Sequence, residues 1–142
     1  MRKILLSACL AAIIMTGFGQ KAATDKIETS KGPLGIHPIT HGSVVMTWNG
    51  LSIYVDPYGG IKGYEGIAPP DLVLITDIHG DHLNPETLTA LDLSKAKLIV
   101  PQAVADQLPE QIKSKAIVLP NGKSTMQSGI SITAIPMYNL PD

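Results

Sequence analysis

The run Asp71-Leu72-Val73-Leu74-Ile75-Thr76 constrains this chain more than any other segment. Its four central residues are apolar without alternation, as expected of a strand buried on both faces. Such a strand needs covering layers on either side. Directly after it come Asp77-Ile78-His79-Gly80-Asp81-His82, two carboxylates and two imidazoles in six residues. Asn84-Pro85-Glu86 then opens a helix expected over 87–93, with Pro85 in the first turn, where its missing N–H costs nothing. A buried strand, a cluster of polar donors and a helix therefore follow one another within about twenty residues.

The surrounding pattern is also strand-rich. Ile36 to His41 and Ser43 to Trp48 favour β-branched residues, and Asn49-Gly50 separates them from Leu51 to Asp56 as a hairpin turn would. Residues 57–70 hold four glycines and three prolines and are expected as a long loop. Further on, strands are expected at 97–100 and 116–119, a short helix at 102–108, and a hairpin of 124–127 with 130–136 around Ser128-Gly129. With Trp48 and Phe18 each alone of its kind, the core is expected to be mainly Ile, Leu and Val.

The start of the chain has a different character. Arg2-Lys3 precede an apolar run from Ile4 to Met15, closed by small residues, which is the pattern of a secretory signal peptide and too short for a comfortable membrane span. Residues 1–23 are read as this signal, 24–34 as a linker and 35–142 as the domain. Export to the periplasm or outside the cell follows. Cys9 after Leu6-Ser7-Ala8 also fits a lipoprotein box, but with few apolar residues ahead of it, so ordinary cleavage is favoured. The mature chain then has no cysteine for a disulfide, a nucleophile or a thiolate ligand.

Composition narrows the function further. A net charge of -1 and a pI near 6.4 give no basic surface for nucleic acid. Charged residues at 16% and apolar ones at 44% suit a packed domain over a disordered one. No Gly-x-Ser-x-Gly elbow is present, and neither Gly80 nor Gly59-Gly60 belongs to a phosphate-binding loop. Mixed imidazole and carboxylate donors suit zinc, or an iron or manganese pair, whereas calcium or magnesium prefers oxygen alone. Asp77 and His79, two apart on extended backbone, can face the same way, and Gly80 is expected to permit a tight turn toward Asp81 and His82. Asp56, at the end of a strand and before Pro57, is expected either to cap a turn or to hydrogen-bond a ligating histidine from behind, and its place at the strand end slightly favours the second. His37 and His41 are read as solvated or locally capping.

The run Leu74 to His82 resembles the His-x-His-x-Asp-His element of the metallo-β-lactamase superfamily, particularly its lactonase-like and periplasmic hydrolase members. Val55-Asp56-Pro57 is similar to the Asp-Pro that ends an early strand there, and Ile135-Pro136-Met137-Tyr138-Asn139 adds to the likeness. The resemblance implies the first half of an αββα sandwich, a mixed β-sheet with flanking helices. It implies two metal ions, zinc first and iron or manganese as alternatives. His79 would serve the first ion, Asp81 and His82 the second, and Asp77, where the first histidine is usual, is a further candidate ligand of the first ion, since a carboxylate can also bind zinc. Asp81 would also orient the nucleophilic water, making it the catalytic candidate. The implied activity is hydrolysis of a small-molecule lactone, amide or phosphoester.

In the family a third histidine, a bridging carboxylate and a last histidine lie beyond the position where this chain stops. The expectation is therefore a fragment or an interrupted gene product, inactive by itself, with an exposed sheet face that favours self-association. Two rival readings accompany it: a non-catalytic, exported metal-binding remnant of the same fold, and an exported binding module in which the Asp/His cluster is only a polar turn.

Overall fold

The computed structural model describes residues 23–137, so the expected signal segment, Cys9, Tyr138 and Asn139 lie outside the described residues, apart from residue 23. The described chain is mixed α/β: seven strands in one sheet, three short helices and a separate two-stranded hairpin. This is a large mixed sheet with few helices, consistent with a metallo-β-lactamase-type fold. In chain order the sheet contains β1 (Asp25–Ile27), β2 (Leu34–Thr40), β3 (Ser43–Trp48), β4 (Leu51–Val55), β5 (Leu72–Leu74), β6 (Lys97–Val100) and β7 (Ala116–Val118). Spatial order follows sequence order. The first four strands are antiparallel neighbours, and β4 to β7 are parallel.

The antiparallel part follows from its turns. Asn49 and Gly50 have φ of 49° and 79°, the doubly left-handed turn that matches strand twist, and they set Trp48 opposite Leu51. Ser128 and Gly129, at 50° and 78°, do the same between β8 (Ser124–Gln127) and β9 (Ile130–Thr133). The parallel part is made by crossovers, the first the loop between β4 and β5 and the next two carrying α1 (Pro85–Ala90), and α2 (Gln102–Ala105) with α3 (Glu110–Lys113). Asn84 caps α1 by accepting from the Thr87 N–H at 2.8 Å, and Pro85 takes the first helical position.

Alternation along the central strands divides the core between two faces. Tyr54, Val73, Leu98 and Val100 point to the helices, where they pack with Leu88, Val104 and Ile112. Ile53, Leu72 and Ile99 point to the opposite face, joined by Leu119 and partly covered by Ile130 and Ile132 of the hairpin. The continuous apolar reading of residues 72–75 reflects this double burial. Tyr54 and Tyr64 are stacked in the larger cluster, with centroids 5.1 Å apart, so aromatic residues contribute more to the core than expected. Burial, and then the neighbouring Tyr64, push the Tyr54 hydroxyl up to about 12.

Several local expectations change. Residues 25–27, read as linker, form β1 and pair with β2, supplying edge hydrogen bonds without burying side chains. The long loop contains a 3-10 turn over Ile61–Tyr64. The helix expected over 87–93 begins at Pro85 and stops at Ala90, because Leu91 turns to extended backbone while its N–H still bonds to Thr87. The helix expected over 102–108 ends at Ala105, and α3 follows Pro109 as a second short helix. Gly80 lies outside the left-handed region, and a Cβ there would meet nothing within 4 Å, so its turn does not require glycine.

Leu98 is fully buried on β6, whereas Met126 is 63% exposed on β8. Leu98→Ala is expected to destabilise the chain by about 3 kcal/mol in urea denaturation, and Met126→Ala to remain within about 0.5 kcal/mol of wild type. Equal effects of the two would contradict this division of the core.

Candidate metal centre

The candidate residues lie where β4 and β5 end side by side. The ladder runs past both strands: the Asp56 N–H donates to the Leu74 carbonyl at 2.9 Å, and the Ile75 N–H to the Ile99 carbonyl at 3.2 Å. These contacts bring Asp56 beside Thr76. Asp56 is 3% exposed, with φ of 44°, a left-handed conformation that Asp tolerates better than most residues. Its Oδ1 accepts from the Thr76 N–H at 2.7 Å, and its Oδ2 accepts from the Thr76 hydroxyl at 2.7 Å. The same Oδ2 stands 2.8 Å from His82 Nδ1. The histidine of the cluster that Asp56 contacts is His82.

His82 is brought there by a helical turn. Both the His82 and Leu83 N–H groups donate to the His79 carbonyl, at 2.9 and 2.8 Å, and Leu83 is buried. With Nδ1 against Asp56, Nε2 is the ring nitrogen left for a ligand, the arrangement common for metal-binding histidines. Asp81 Oδ2 lies 4.0 Å from that Nε2. Asp77 and His79 form a second pair, with Oδ2 2.9 Å from Nδ1, while Asp77 Oδ1 accepts from the Ile78 N–H at 2.6 Å. The site thus divides into an inner pair, Asp56 of the β4 end with His82, and an outer pair, Asp77 with His79.

Neighbouring elements fix the rim. The Tyr64 hydroxyl accepts from the Tyr58 N–H at 2.8 Å, donates to the Tyr58 carbonyl at 3.0 Å and meets Ser43 Oγ at 2.7 Å. It ties the loop after Asp56 to the start of β3. The Tyr58 ring meets His41 edge to face at 5.1 Å. A Cβ on Gly42 would stand 3.7 Å from His82 Cε1, so the β2–β3 turn borders the site. On the other side, Thr76 lines a cleft with Leu74, Pro101, Asn121, Thr133 and Ile135 between the sheet and the hairpin. Sequence reasoning missed Tyr64 and Thr76. The Thr next to the Asp/His run was visible, but Ser43, the partner of Tyr64, lies twenty-one residues away at the start of β3. His37, read as solvated or capping, contacts Thr24 just before β1 and Thr47 on β3 at 2.9 and 3.2 Å.

Among the described residues, no three His, Cys, Asp or Glu side chains converge into a complete metal-binding group. The donors nevertheless suit a transition metal in part. Two donors on one tetrahedral zinc, each at about 2.0 to 2.2 Å, stand about 3.3 to 3.6 Å apart. His82 Nε2 and Asp81 Oδ2 are wider than that at 4.0 Å, with the Asp81 side chain 48% exposed. They supply the donor types of a site without its spacing, and His79 is the remaining imidazole of the segment.

Comparison with known proteins identifies the family. The family model for the beta-lactamase superfamily domain matches residues 36–142. The chain belongs to this superfamily. A protein of Parabacteroides distasonis ATCC 8503 assigned as a metal-dependent hydrolase is 33% identical, with a TM-score of 0.70, over 83% of this chain and 52% of that one. The chain therefore spans about half the length of this superfamily relative. The E377D mutant of CmlA beta-hydroxylase is 20% identical, with a TM-score of 0.55, over 72% of this chain and 24% of that one. Igni18, a metallo hydrolase of Ignicoccus hospitalis KIN4/I, is 17% identical, with a TM-score of 0.50, over 65% and 42%. The last two likenesses concern the fold alone. No curated protein matches the chain.

The Asp56 hydrogen bond holds the His82 imidazole above its ordinary 6.5, against burial and with help from the charges of Asp56, Asp81 and Asp77. A raised folded value means that this stabilisation is complete below the unfolded value of about 6.5 and is lost as pH rises through the folded one. In the metal-free chain, His82 should titrate above 6.5 by NMR, and Asp56→Asn should lower that value. The stability advantage of wild type over Asp56→Asn should shrink over the same pH interval. A wild-type His82 titrating at or below 6.5 would contradict the pairing.

Proposed function

We propose that this chain carries the metal-holding strand end of an exported, metal-dependent hydrolase acting on a small molecule. The observation that supports it most directly is His82, backed by buried Asp56 and with Asp81 near its free Nε2, in a chain of the beta-lactamase superfamily. His79, Asp81 and His82 are the proposed donors, Asp77 stands beside them, and zinc is the favoured ion, with iron or manganese as alternatives. A bound zinc would supply Lewis acidity and a water acidified toward neutrality. Asp56 keeps the His82 ring oriented with Nε2 outward. Asp81, exposed enough to meet a substrate, would orient the attacking water. The turn at Gly42 and the Tyr58 ring would bound the substrate on one side, the cleft beside Thr76 on the other.

Lactone, amide and phosphoester substrates all present a centre that such a water can attack. No helix among the described residues is long and apolar enough to cross a membrane, and the charged-then-apolar start of the sequence supports export. Binding without turnover is the second reading, favoured by the carboxylate of Asp77 where the superfamily resemblance expects a histidine.

Metal analysis of the purified full chain should find bound zinc, and His82→Ala should lower zinc affinity at least about 10-fold while leaving the far-UV spectrum intact. A panel of lactone, anilide and phosphodiester substrates separates the two readings. Zinc-dependent turnover supports hydrolysis, and zinc retention without turnover supports binding alone. Absence of zinc from wild type and His82→Ala alike would sink both.

A further inference from the structure

We propose that Asn49-Gly50 is a site of backbone modification, at which the asparagine converts by itself into aspartate and isoaspartate, while the fold holds back the same chemistry at Asn121-Gly122. The reaction involves neither the metal centre nor the Asp/His segment. The chain has four asparagines, Asn49, Asn84, Asn121 and Asn139, the last outside the described residues. Asn84 precedes Pro85, whose nitrogen carries no hydrogen and cannot attack. Asn49 and Asn121 each precede a glycine, which has no side chain to obstruct the attacking nitrogen.

The step needs only the turn and water. The Gly50 nitrogen attacks Asn49 Cγ, and the new C–N bond closes a succinimide ring. The side-chain nitrogen leaves as ammonia, taking the proton that the Gly50 nitrogen gives up. Water then adds to one of the two ring carbonyls. Breaking the bond between nitrogen and Cγ leaves aspartate on the original backbone. Breaking the bond between nitrogen and the main-chain carbonyl leaves isoaspartate, whose backbone runs through Cβ and is longer by one carbon.

The two turns differ in what the attacking N–H is already doing. Asn49 and Gly50 are both exposed at the tip of the β3–β4 hairpin, and the Gly50 N–H has no hydrogen-bond partner among the described residues. Asn121 and Gly122 are exposed as well, but the Gly122 N–H donates to the Ala134 carbonyl at 2.8 Å. A Cβ on either glycine would meet nothing within 4 Å, so crowding does not separate them. The hydrogen bond does, because ring closure at Asn121 has to give it up and ring closure at Asn49 does not. The hairpin at Asn49 also sets the register of β4, from Trp48 opposite Leu51 to Val44 opposite Val55, one residue before Asp56. Aspartate tolerates the left-handed turn that Asn49 and Gly50 make, whereas an extra backbone carbon in a two-residue turn does not fit that register.

Ageing the full chain at mildly alkaline pH, followed by tryptic mapping with mass spectrometry, tests this, because Asn49, Asn84 and Asn121 fall on three different peptides, 32–62, 63–95 and 116–123. Each conversion makes a peptide heavier by one mass unit, and chromatography separates isoaspartate from aspartate. In the folded chain Asn49 should convert at least about 5-fold faster than Asn121, the effect of one ordinary hydrogen bond on the barrier. Asn84 should stay unchanged. In concentrated urea, where the Gly122 bond is gone, the two Asn-Gly rates should converge. No conversion at Asn49, equal rates in the folded chain, faster conversion at Asn121, or a ratio that persists in urea would each overturn the inference. Asn49→Asp should unfold at the urea concentration of wild type and the isoaspartate form at a lower one. An isoaspartate form as stable as Asn49→Asp would overturn the link between this site and the register of β4.

Discussion

The carboxylate of Asp56 is the constraint on which the candidate site depends. It is buried at the end of β4 and accepts from the Thr76 N–H, the Thr76 hydroxyl and His82 Nδ1. A buried carboxylate without partners is costly, so these three donors cannot drift independently. One is backbone just past β5, one is a side chain on that residue, and one arrives from the turn that closes on Leu83. A single residue thereby joins the ends of two parallel strands to the segment bearing the proposed ligands. Its left-handed backbone sends the chain into Pro57 and Tyr58, where the Tyr64 hydroxyl holds the following loop against Ser43.

The sheet makes this meeting possible. Parallel neighbours bring their carboxyl ends to one edge, which is where open α/β sheets place their ligand sites. β4 is the strand at which pairing changes from antiparallel to parallel, since β3 lies antiparallel on one side of it and β5 parallel on the other. Asp56 ends that strand. The apolar contacts of Val73 and Leu98 on one face, and of Leu72 and Ile99 on the other, hold the strand ends in register without any contribution from the polar cluster.

Much of this was legible in the sequence where a local rule and a burial pattern agreed. β3, β6 and β8 fall where expected, because Asn49-Gly50 and Ser128-Gly129 are turn pairs with a single strong solution, and Lys97 to Val100 is a short apolar run between breakers. β1 was not legible: Asp25, Lys26 and Ile27 are all exposed, and an edge strand held by backbone bonds alone leaves no apolar signature. The break between α2 and α3 was hidden because Val104, Ala105, Leu108 and Ile112 all reach the same core, so their spacing does not mark the interruption at Pro109. The four Asp and His residues after β5 were visible as candidate donors. Their division into pairs was not, because spacing in sequence does not specify which ring nitrogen a carboxylate will meet.

The Asp/His segment itself has little hold on the core, and this bears on its departure from the superfamily pattern. Ile75 and Leu83 are buried at its two ends, while Thr76, Ile78, His79 and Gly80 between them are exposed. The segment is a short span between apolar anchors, closed by the two N–H bonds to the His79 carbonyl and roped at one point by Asp56. Asp77 accepts from the adjacent Ile78 N–H and pairs with His79, two residues on. Exchanging imidazole for carboxylate at this position therefore disturbs neither the sheet nor the Asp56 network. What it changes is the chemistry of the donors at the strand end, and that separation between scaffold and donor set lets one fold present different metal sites.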